Sequence, residues 1–390
     1  MSAPPASELR AIGVSWGDPR SARTYSGVPQ PLFAELERIG TLVDVADADQ
    51  TRPSDALHGL VDWRRSVQAR RPRRRALWRY LPENIERMSG RFQAVEARLE
   101  PHDTVLQFGV AGLPAPDKTL VAHVEIPVAE AMALDVFATS YGFDGIDERT
   151  ARRAIEGERS FLDRCALVWT NTAWTAQLLT EQGVDDERLR IWPPACGQPD
   201  PGPVGHHWDR CGILFVGKDW NRKGGEALLD AFRVVRRARP DATLTIAGCS
   251  PPVHEDGVRV LGFLDRDDPR DAAALHEAFV EATIFCMPSR WESTGLVYLE
   301  AAMYGLPVVM LCGQGREALF DPKMAVHLPD AEPALLAEAL LDLAGAPDRM
   351  EAMGAAGRSA VLAKHTLPVV ARKVAGWLAE ARRGQPAPHC

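Results

Sequence analysis

Pro288-Ser289-Arg290-Trp291-Glu292-Ser293-Thr294-Gly295-Leu296-Val297-Tyr298-Leu299-Glu300-Ala301-Ala302-Met303-Tyr304-Gly305-Leu306-Pro307-Val308-Val309 sets two carboxylates eight positions apart across a strand end, a loop and a helix start. The apolar run Thr283-Ile284-Phe285-Cys286-Met287 ahead of it reads as a buried strand, closed by Pro288. Ser293 or Thr294 is placed to cap a helix beginning near Gly295, and Gly305-Leu306-Pro307 stops it. Glu292 then falls in the loop and Glu300 on the helix, both expected beside unpaired backbone N–H groups. A helix start of this kind suits an anion such as a diphosphate. Phosphates want amide donors and a positive dipole, whereas sugar and ribose hydroxyls want acceptors, which carboxylates supply. The bland alternative is an ordinary strand-to-helix crossover with surface glutamates.

A second constellation lies upstream, Phe215-Val216-Gly217-Lys218-Asp219-Trp220-Asn221-Arg222-Lys223-Gly224-Gly225. A strand ends at Gly217, a loop carries Lys218, Arg222 and Lys223, and a glycine pair leads into a helix. The carboxyl edge of a parallel strand is where open α/β sheets bind ligands, so the loop reads as an anion site. A solvated basic loop is the alternative.

The first segment resembles the signature of the retaining glycosyltransferases of family 4, the group 1 glycosyltransferases. Both glutamates, the Gly295-Leu296 and Glu300-Ala301 pairs and the Gly305-Leu306-Pro307-Val308 exit match. The family's Gly-Phe-Gly-Leu is replaced here by Ser293-Thr294-Gly295-Leu296, which keeps the backbone amides but narrows the space beside the sugar. Lys223 matches the family's lysine at the departing diphosphate, and Lys218 stands where the family has arginine, keeping the charge but losing the bidentate fork. The resemblance implies a GT-B architecture, two Rossmann-like domains facing each other across a cleft. It implies that Glu300 binds ribose hydroxyls and Glu292 sugar hydroxyls, with Arg222, Gly217, Ser293, Thr294, Gly295 and Leu296 around the donor. Gly262 and Phe263, after the strand Val258 to Leu261, are candidates for contacts to the base.

The rest of the chain fits that frame. Its 390 residues exceed one typical core. Strands and helices alternate in two blocks separated by the linker Gln198-Pro199-Asp200-Pro201-Gly202-Pro203, as parallel sheets covered on both faces require. The expected division is 1–197 as an acceptor-binding domain and 198–368 as a nucleotide-sugar-binding domain. Residues 369–390 form a C-terminal helix, Ala371 to Arg382, which by the resemblance crosses back to the N-terminal domain. In the first block, Gly17 to Pro29 joins a strand to a helix. Gly27 allows close backbone approach there and Ser26 is placed to cap the helix. His123 and Glu125, at the end of the strand Thr119 to His123, are candidates to point at the sugar, although a lone histidine there is as readily structural. Thr172 after Val168-Trp169-Thr170 reads as a helix cap.

Composition narrows the classes further. Hydrophobic residues make up 46% and charged residues 25%, an ordinary globular balance, and the net charge of −8 argues against nucleic-acid binding. The seven cysteines are scattered without a C-x-x-C pair, as expected of reduced thiols in a cytoplasmic protein. Residues 1–10 are polar and contain Pro4-Pro5, so no secretion signal is expected, and no run reaches ~18 apolar residues. Arg64, Arg65, Arg70, Arg71, Arg73, Arg74, Arg75 and Arg79 crowd around Trp63, Trp78 and Tyr80. They could rest on anionic lipid headgroups as a peripheral membrane contact or recruit a phosphorylated acceptor, and a solvated face is the plainer reading. The strings Asp47-Ala48-Asp49 and Asp265-Arg266-Asp267 are short enough to arise by chance in acidic loops, and no His or Cys cluster supports a metal. The expected function is metal-independent, retaining transfer of a hexosyl unit from a nucleoside diphosphate sugar to a hydroxyl of a glycan, a lipid or a small metabolite. No cofactor is expected besides the donor. A phosphorylase or epimerase of the same fold, or a non-catalytic sugar-nucleotide-binding protein, would use much of the same site.

Overall fold

The computed structural model describes residues 9–21, 24–48, 75–134, 146–193 and 195–384. The chain divides into two units, Met1–Pro193 with Val370–Cys390, and Pro194–Val369.

The first unit is built on six parallel strands: β1 (Ala11–Ser15), β2 (Leu42–Asp47), β3 (Thr104–Phe108), β4 (Thr119–Val124), β5 (Leu167–Thr170) and β6 (Leu189–Ile191), in the order β2-β1-β3-β4-β5-β6. Every residue of β1, β3, β4 and β5 is buried, as strands covered by helices on both faces must be. The helix Glu148–Asp163 shows how the cover is made. Ala154, Gly157, Glu158, Phe161 and Leu162 recur at helical spacing on its buried face, and the Asp147 side chain accepts the Thr150 N–H at its start. Thr172 caps the helix Ala173–Glu181 through Thr175 N, as read from the sequence.

The helix Leu367–Gly384 begins four residues earlier than expected, because Pro368 sits inside its first turn, where a missing N–H costs nothing. Its residues from Val370 onward count with the first unit. Trp377 packs 5.8 Å from Trp169, and Arg382 Nε lies 3.0 Å from Asp103.

The second unit carries β7 (Gly212–Val216), β8 (Thr243–Ala247), β9 (Val258–Gly262), β10 (Ile284–Cys286), β11 (Val308–Leu311) and β12 (Ala325–Leu328), again all parallel. Their order, β12-β11-β10-β7-β8-β9, runs outward in both directions from the β7–β10 pair. Helix Gly225–Ala238 follows β7 and buries Leu228, Leu229, Ala231, Phe232 and Val235 on one face. Helix Leu296–Met303 follows β10 and is buried at six of its eight positions. Phe279, Phe285, Tyr298 and Phe320 are fully buried in one core, with Phe285–Tyr298 and Tyr298–Phe320 edge to face at 5.8 and 5.6 Å. Burial of each such side chain contributes roughly 1.5–3 kcal/mol.

β10 is shorter than the five-residue run read from sequence. Thr283 precedes it and turns its hydroxyl to the Gly212 N–H at 3.0 Å. Among the described residues no helix is long and apolar enough to cross a membrane.

Candidate active site

β7 and β10 are neighbours whose connections lead to opposite sides of the sheet, which opens a crevice at their carboxyl ends. The loops after these two strands, 217–224 and 287–295, meet in that crevice. Glycine makes the meeting close. Gly224 has φ +77°, and a Cβ there would lie 2.2 Å from the Pro288 carbonyl oxygen. Any other residue would push the two loops apart.

The contact delivers Lys223 and Arg222 to Glu292. Lys223 Nζ donates to Glu292 Oε1 at 2.7 Å, Ser289 Oγ at 2.8 Å and Arg222 Nη1 at 3.4 Å. All three donors land on one oxygen, and Oε2 takes none of these bonds. The carboxylate is thus anchored through one oxygen and keeps acceptor capacity on the other. Glu292 is 7% exposed. Burial by itself would raise its pKa, but the charges of Lys223 and Arg222 and the hydrogen bonds from Lys223 and Ser289 outweigh it. The carboxyl is held below its usual range.

Glu300 is arranged differently from the sequence expectation. It is the fifth residue of Leu296–Met303, beyond the four N–H groups that a helix start leaves unpaired, so free amides do not flank it. Instead Arg266 forks onto it, Nη1 to Oε1 at 2.7 Å and Nη2 to Oε2 at 2.8 Å. The Glu300 side chain is 3% exposed, and that of Arg266 is 42% exposed. Burial would lower the Arg266 pKa, but the Glu300 charge and fork raise it.

The helix cap also differs. The N-cap is Gly295 at φ +69°, with no side-chain cap from Ser293 or Thr294. A side-chain cap needs an extended N-cap residue. Here the chain enters the helix from the left-handed region, and a Cβ on Gly295 would lie 2.4 Å from Tyr298 Cε2. Leu296 is the first helical residue. Ser293 and Thr294 are buried beside Glu292, and Thr294 Oγ1 has no hydrogen-bond partner among the described residues.

Lys218 is exposed, and its ammonium lies 5.7 Å from the ring centroid of Phe263. The second cation at Glu292 is therefore Arg222. Phe263 is 59% exposed at the end of β9, and the Gly262 carbonyl accepts the Gly248 N–H at 2.8 Å. Gly217 follows β7, and the Lys223 stem lies against it.

In the first unit His123 is 5% exposed, wedged between Phe108 and Trp169 with ring centroids at 4.6 Å from each. Its Nε2 meets Asn171 Oδ1 at 2.8 Å, an atom that only accepts, so Nε2 carries the proton. Burial pulls its pKa down to about 4, against the Asn171 bond, which leaves it neutral near pH 7. Glu125, just past β4, is exposed. Ser26 and Gly27 lie in a short 3-10 turn, Thr24–Gly27. The helix they lead into starts at N-cap Val28, two residues beyond the Ser26 expected from sequence. Tyr25 in the same turn is held at φ +45°.

Three residues that sequence reasoning passed over belong to this site. Arg266 was hidden inside an acidic string. Ser289 shared the proline-flanked turn without a motif of its own. Arg316, fully buried, donates to the carbonyls of Gly313, Cys312 and Ser289 and ties the loop after β11 to the loop that carries Glu292. Among the described residues no group of three His, Cys, Asp or Glu could hold a metal ion.

Residues 210–345, the stretch that holds Lys223, Arg266, Glu292 and Glu300, match the family model for glycosyl transferases group 1. A D-inositol 3-phosphate glycosyltransferase of Paenarthrobacter aurescens is 27% identical over 69% of this chain and 68% of its own length. A GDP-mannose-dependent monoacylated alpha-(1-6)-phosphatidylinositol monomannoside mannosyltransferase of Corynebacterium glutamicum is 32% identical over 40% of this chain and 44% of its own. Among solved structures, a sucrose-phosphate synthase from Thermosynechococcus elongatus superposes with a TM-score of 0.67 at 16% identity, over 97% of this chain and 100% of that one. The Anabaena HepE protein in complex with UDP-glucose gives 0.61 at 13% identity, over 96% and 100%. These likenesses place both parallel sheets in the GT-B fold class. The cations held over an anchored carboxylate at the β7–β10 crevice thus lie within the stretch that is similar to the group 1 glycosyltransferases, and the chain is a glycosyltransferase of the GT-B fold.

Proposed function

We propose that the chain moves a hexosyl unit from a nucleoside diphosphate sugar to an acceptor hydroxyl, with retention at the anomeric carbon and without a metal. The observation that carries this reading is the convergence of Lys223, Arg222 and Ser289 on one oxygen of Glu292 at the switch point. Lys223 and Arg222 supply positive charge where negative charge builds on the departing β-phosphate, and preorganised donors there are the largest lever on the barrier. Oε2 of Glu292 serves as acceptor for sugar hydroxyls, and Glu300 for the ribose. The amides of Ser293 to Leu296 and the Leu296–Met303 helix start face the phosphates, with Lys218, Gly217, Gly262 and Phe263 toward the base. As the C1–O bond to phosphate breaks and the C1–O bond to the acceptor forms on the same face, the acceptor proton passes to the leaving phosphate oxygen.

In this reading the second unit takes the nucleotide sugar. The first takes the acceptor, with Glu125 as the candidate toward the sugar and the Ser26-Gly27 turn toward the donor, while His123 packs between Phe108 and Trp169. No cofactor is needed beyond the donor. The relatives named for inositol phosphate and phosphatidylinositol mannoside make polyols and polyol lipids the first acceptors to try, with GDP-mannose and UDP-glucose as first donors. The six described cysteines are unpaired, which supports a reducing, cytoplasmic setting. A lipid acceptor would give the Arg-rich segment 64–79 a role against anionic headgroups, although all of it before residue 75 lies outside the described residues. Sedimentation with anionic vesicles tests that role.

The decisive experiment is a thermal-shift screen of UDP-, GDP-, dTDP- and ADP-sugars, followed by NMR of the product anomer. A product whose anomeric configuration is inverted relative to the donor would overturn the retaining reading.

A further inference from the structure

We propose that Arg266 is the positioning residue that gives the donor site its selectivity for ribose, by holding the Glu300 carboxylate in a single orientation toward the vicinal hydroxyls of a nucleoside diphosphate. The inference rests on the functional reading above, in which Glu300 meets the ribose.

Two observations carry it. Glu300 is nearly enclosed, and both of its oxygens are engaged by the two terminal nitrogens of Arg266 at 2.7 and 2.8 Å. A planar fork of this kind fixes the plane of the carboxylate as well as its charge, which an ammonium could not do. Each oxygen keeps a lone pair after the fork is made, so the pair can still accept two hydroxyl donors.

The loop that carries Arg266 is itself pinned on both sides. Asp265 N–H donates to Asp271 at 2.8 Å, Asp267 N–H to Asp265 at 3.1 Å, and Asp268 caps the helix Pro269–Glu281 through the N–H groups of Arg270 and Asp271. The aspartates that resemble a metal string are thus staples of a turn whose one cation reaches back to Glu300. Without Arg266 the enclosed carboxylate would have no counter-charge from the fork. It would be free to rotate toward solvent, and the paired acceptors are lost.

The test compares binding of UDP, GDP and ADP with their 2′-deoxy forms by calorimetry, with inorganic pyrophosphate as the probe of the phosphate site alone. Loss of one hydroxyl that donates to a carboxylate should weaken binding of the tightest nucleotide by about 10- to 150-fold in the wild-type protein. In Arg266→Met that ribo-to-deoxy ratio should fall to about threefold or less, while pyrophosphate affinity stays within about twofold. Arg266→Lys, which keeps charge without the fork, should give an intermediate ratio and serves as the measured variant should Arg266→Met not fold.

An unchanged ratio in both variants overturns the inference. So does a parallel fall in nucleotide and pyrophosphate affinity, which would mean that Arg266 only supports the fold. A wild-type protein that binds pyrophosphate without distinguishing ribose from deoxyribose also overturns it. Failure of the wild type to bind any nucleoside diphosphate would refute the functional reading itself, a result separate from the other three.

Discussion

Replacement of Lys223 by methionine removes one charge and one donor while keeping the length of the side chain. Lys223 Nζ sits 2.7 Å from Glu292 Oε1, with the two side chains 13% and 10% exposed. Removing one member of a pair this enclosed costs ~3–5 kcal/mol when nothing else neutralises the remaining charge. Here Arg222 at 3.4 Å and Ser289 at 2.8 Å remain, so the stability loss should be about 3 kcal/mol or less. The effect on catalysis should be larger in proportion. A preorganised donor at the site of developing charge is worth ~100- to 1000-fold in rate. Glu292 supplies a pH signature as well. Its carboxyl is held below the ordinary 4.5, so its contribution to stability is present above that value and fades as pH falls through the lowered pKa. Without Lys223 that pKa moves up, and the acid limb of kcat/KM should move to higher pH with it. The measurements are initial rates of nucleoside diphosphate release between about pH 4 and 8 and urea unfolding of the same samples. Glu292→Gln and the double variant complete a cycle. A Lys223→Met enzyme within about threefold of wild type, with an unshifted acid limb, would refute the role given to the cation.

Chelation should leave the reaction alone: turnover after EDTA treatment should stay within about twofold, and a tenfold loss restored by Mg²⁺ or Mn²⁺ would show that lysine and arginine do not carry the diphosphate charge by themselves. Near the start of β3, His102 places Nδ1 2.8 Å from the Glu100 carbonyl and Nε2 3.2 Å from Glu96, two acceptors that only the imidazolium satisfies together. Burial would lower its pKa but the Glu96 bond and the Glu100 carbonyl raise it above 6.5, so its stabilisation is complete below pH 6.5 and is lost as pH rises through the folded value. Thermal unfolding at pH 5.5 and 8 should differ less in His102→Gln by about 1 kcal/mol, and an identical pH dependence in the variant would exclude the contact as a source. Gly109 has φ +70°, and a Cβ there would fall 2.3 Å from the Tyr25 hydroxyl. Gly109→Ala should therefore cost roughly 1–3 kcal/mol, part of it recovered in Gly109→Ala/Tyr25→Phe, and a melting point unchanged in the single variant would contradict that geometry.

Read along the chain, local chemistry was enough to place much of the second unit. Buried apolar runs ending in glycine or proline mark β7 and β10. The glycine pair at 224–225 marks the helix that follows, and Glu292, Glu300 and Lys223 announce themselves by residue type and spacing. All of these are short-range signals, set by backbone sterics and by the period of burial. What the tertiary structure decided are pairings between side chains far apart in sequence. Arg266 and Glu300 are 34 positions apart and meet because their two βα connections end on the same edge of one sheet. Arg222, rather than Lys218, joins Lys223 at Glu292 because the loop turns Lys218 outward to Phe263. His123 is indistinguishable in sequence from a ligand, and only its packing between Phe108 and Trp169 reveals a neutral, enclosed ring. Gly295 was read as the start of a helix capped by its neighbours, yet the ring of Tyr298 leaves room there only for a residue without Cβ. Periodicity and turn chemistry are written in neighbouring residues. The partner of a charge is chosen by which strands the fold sets side by side.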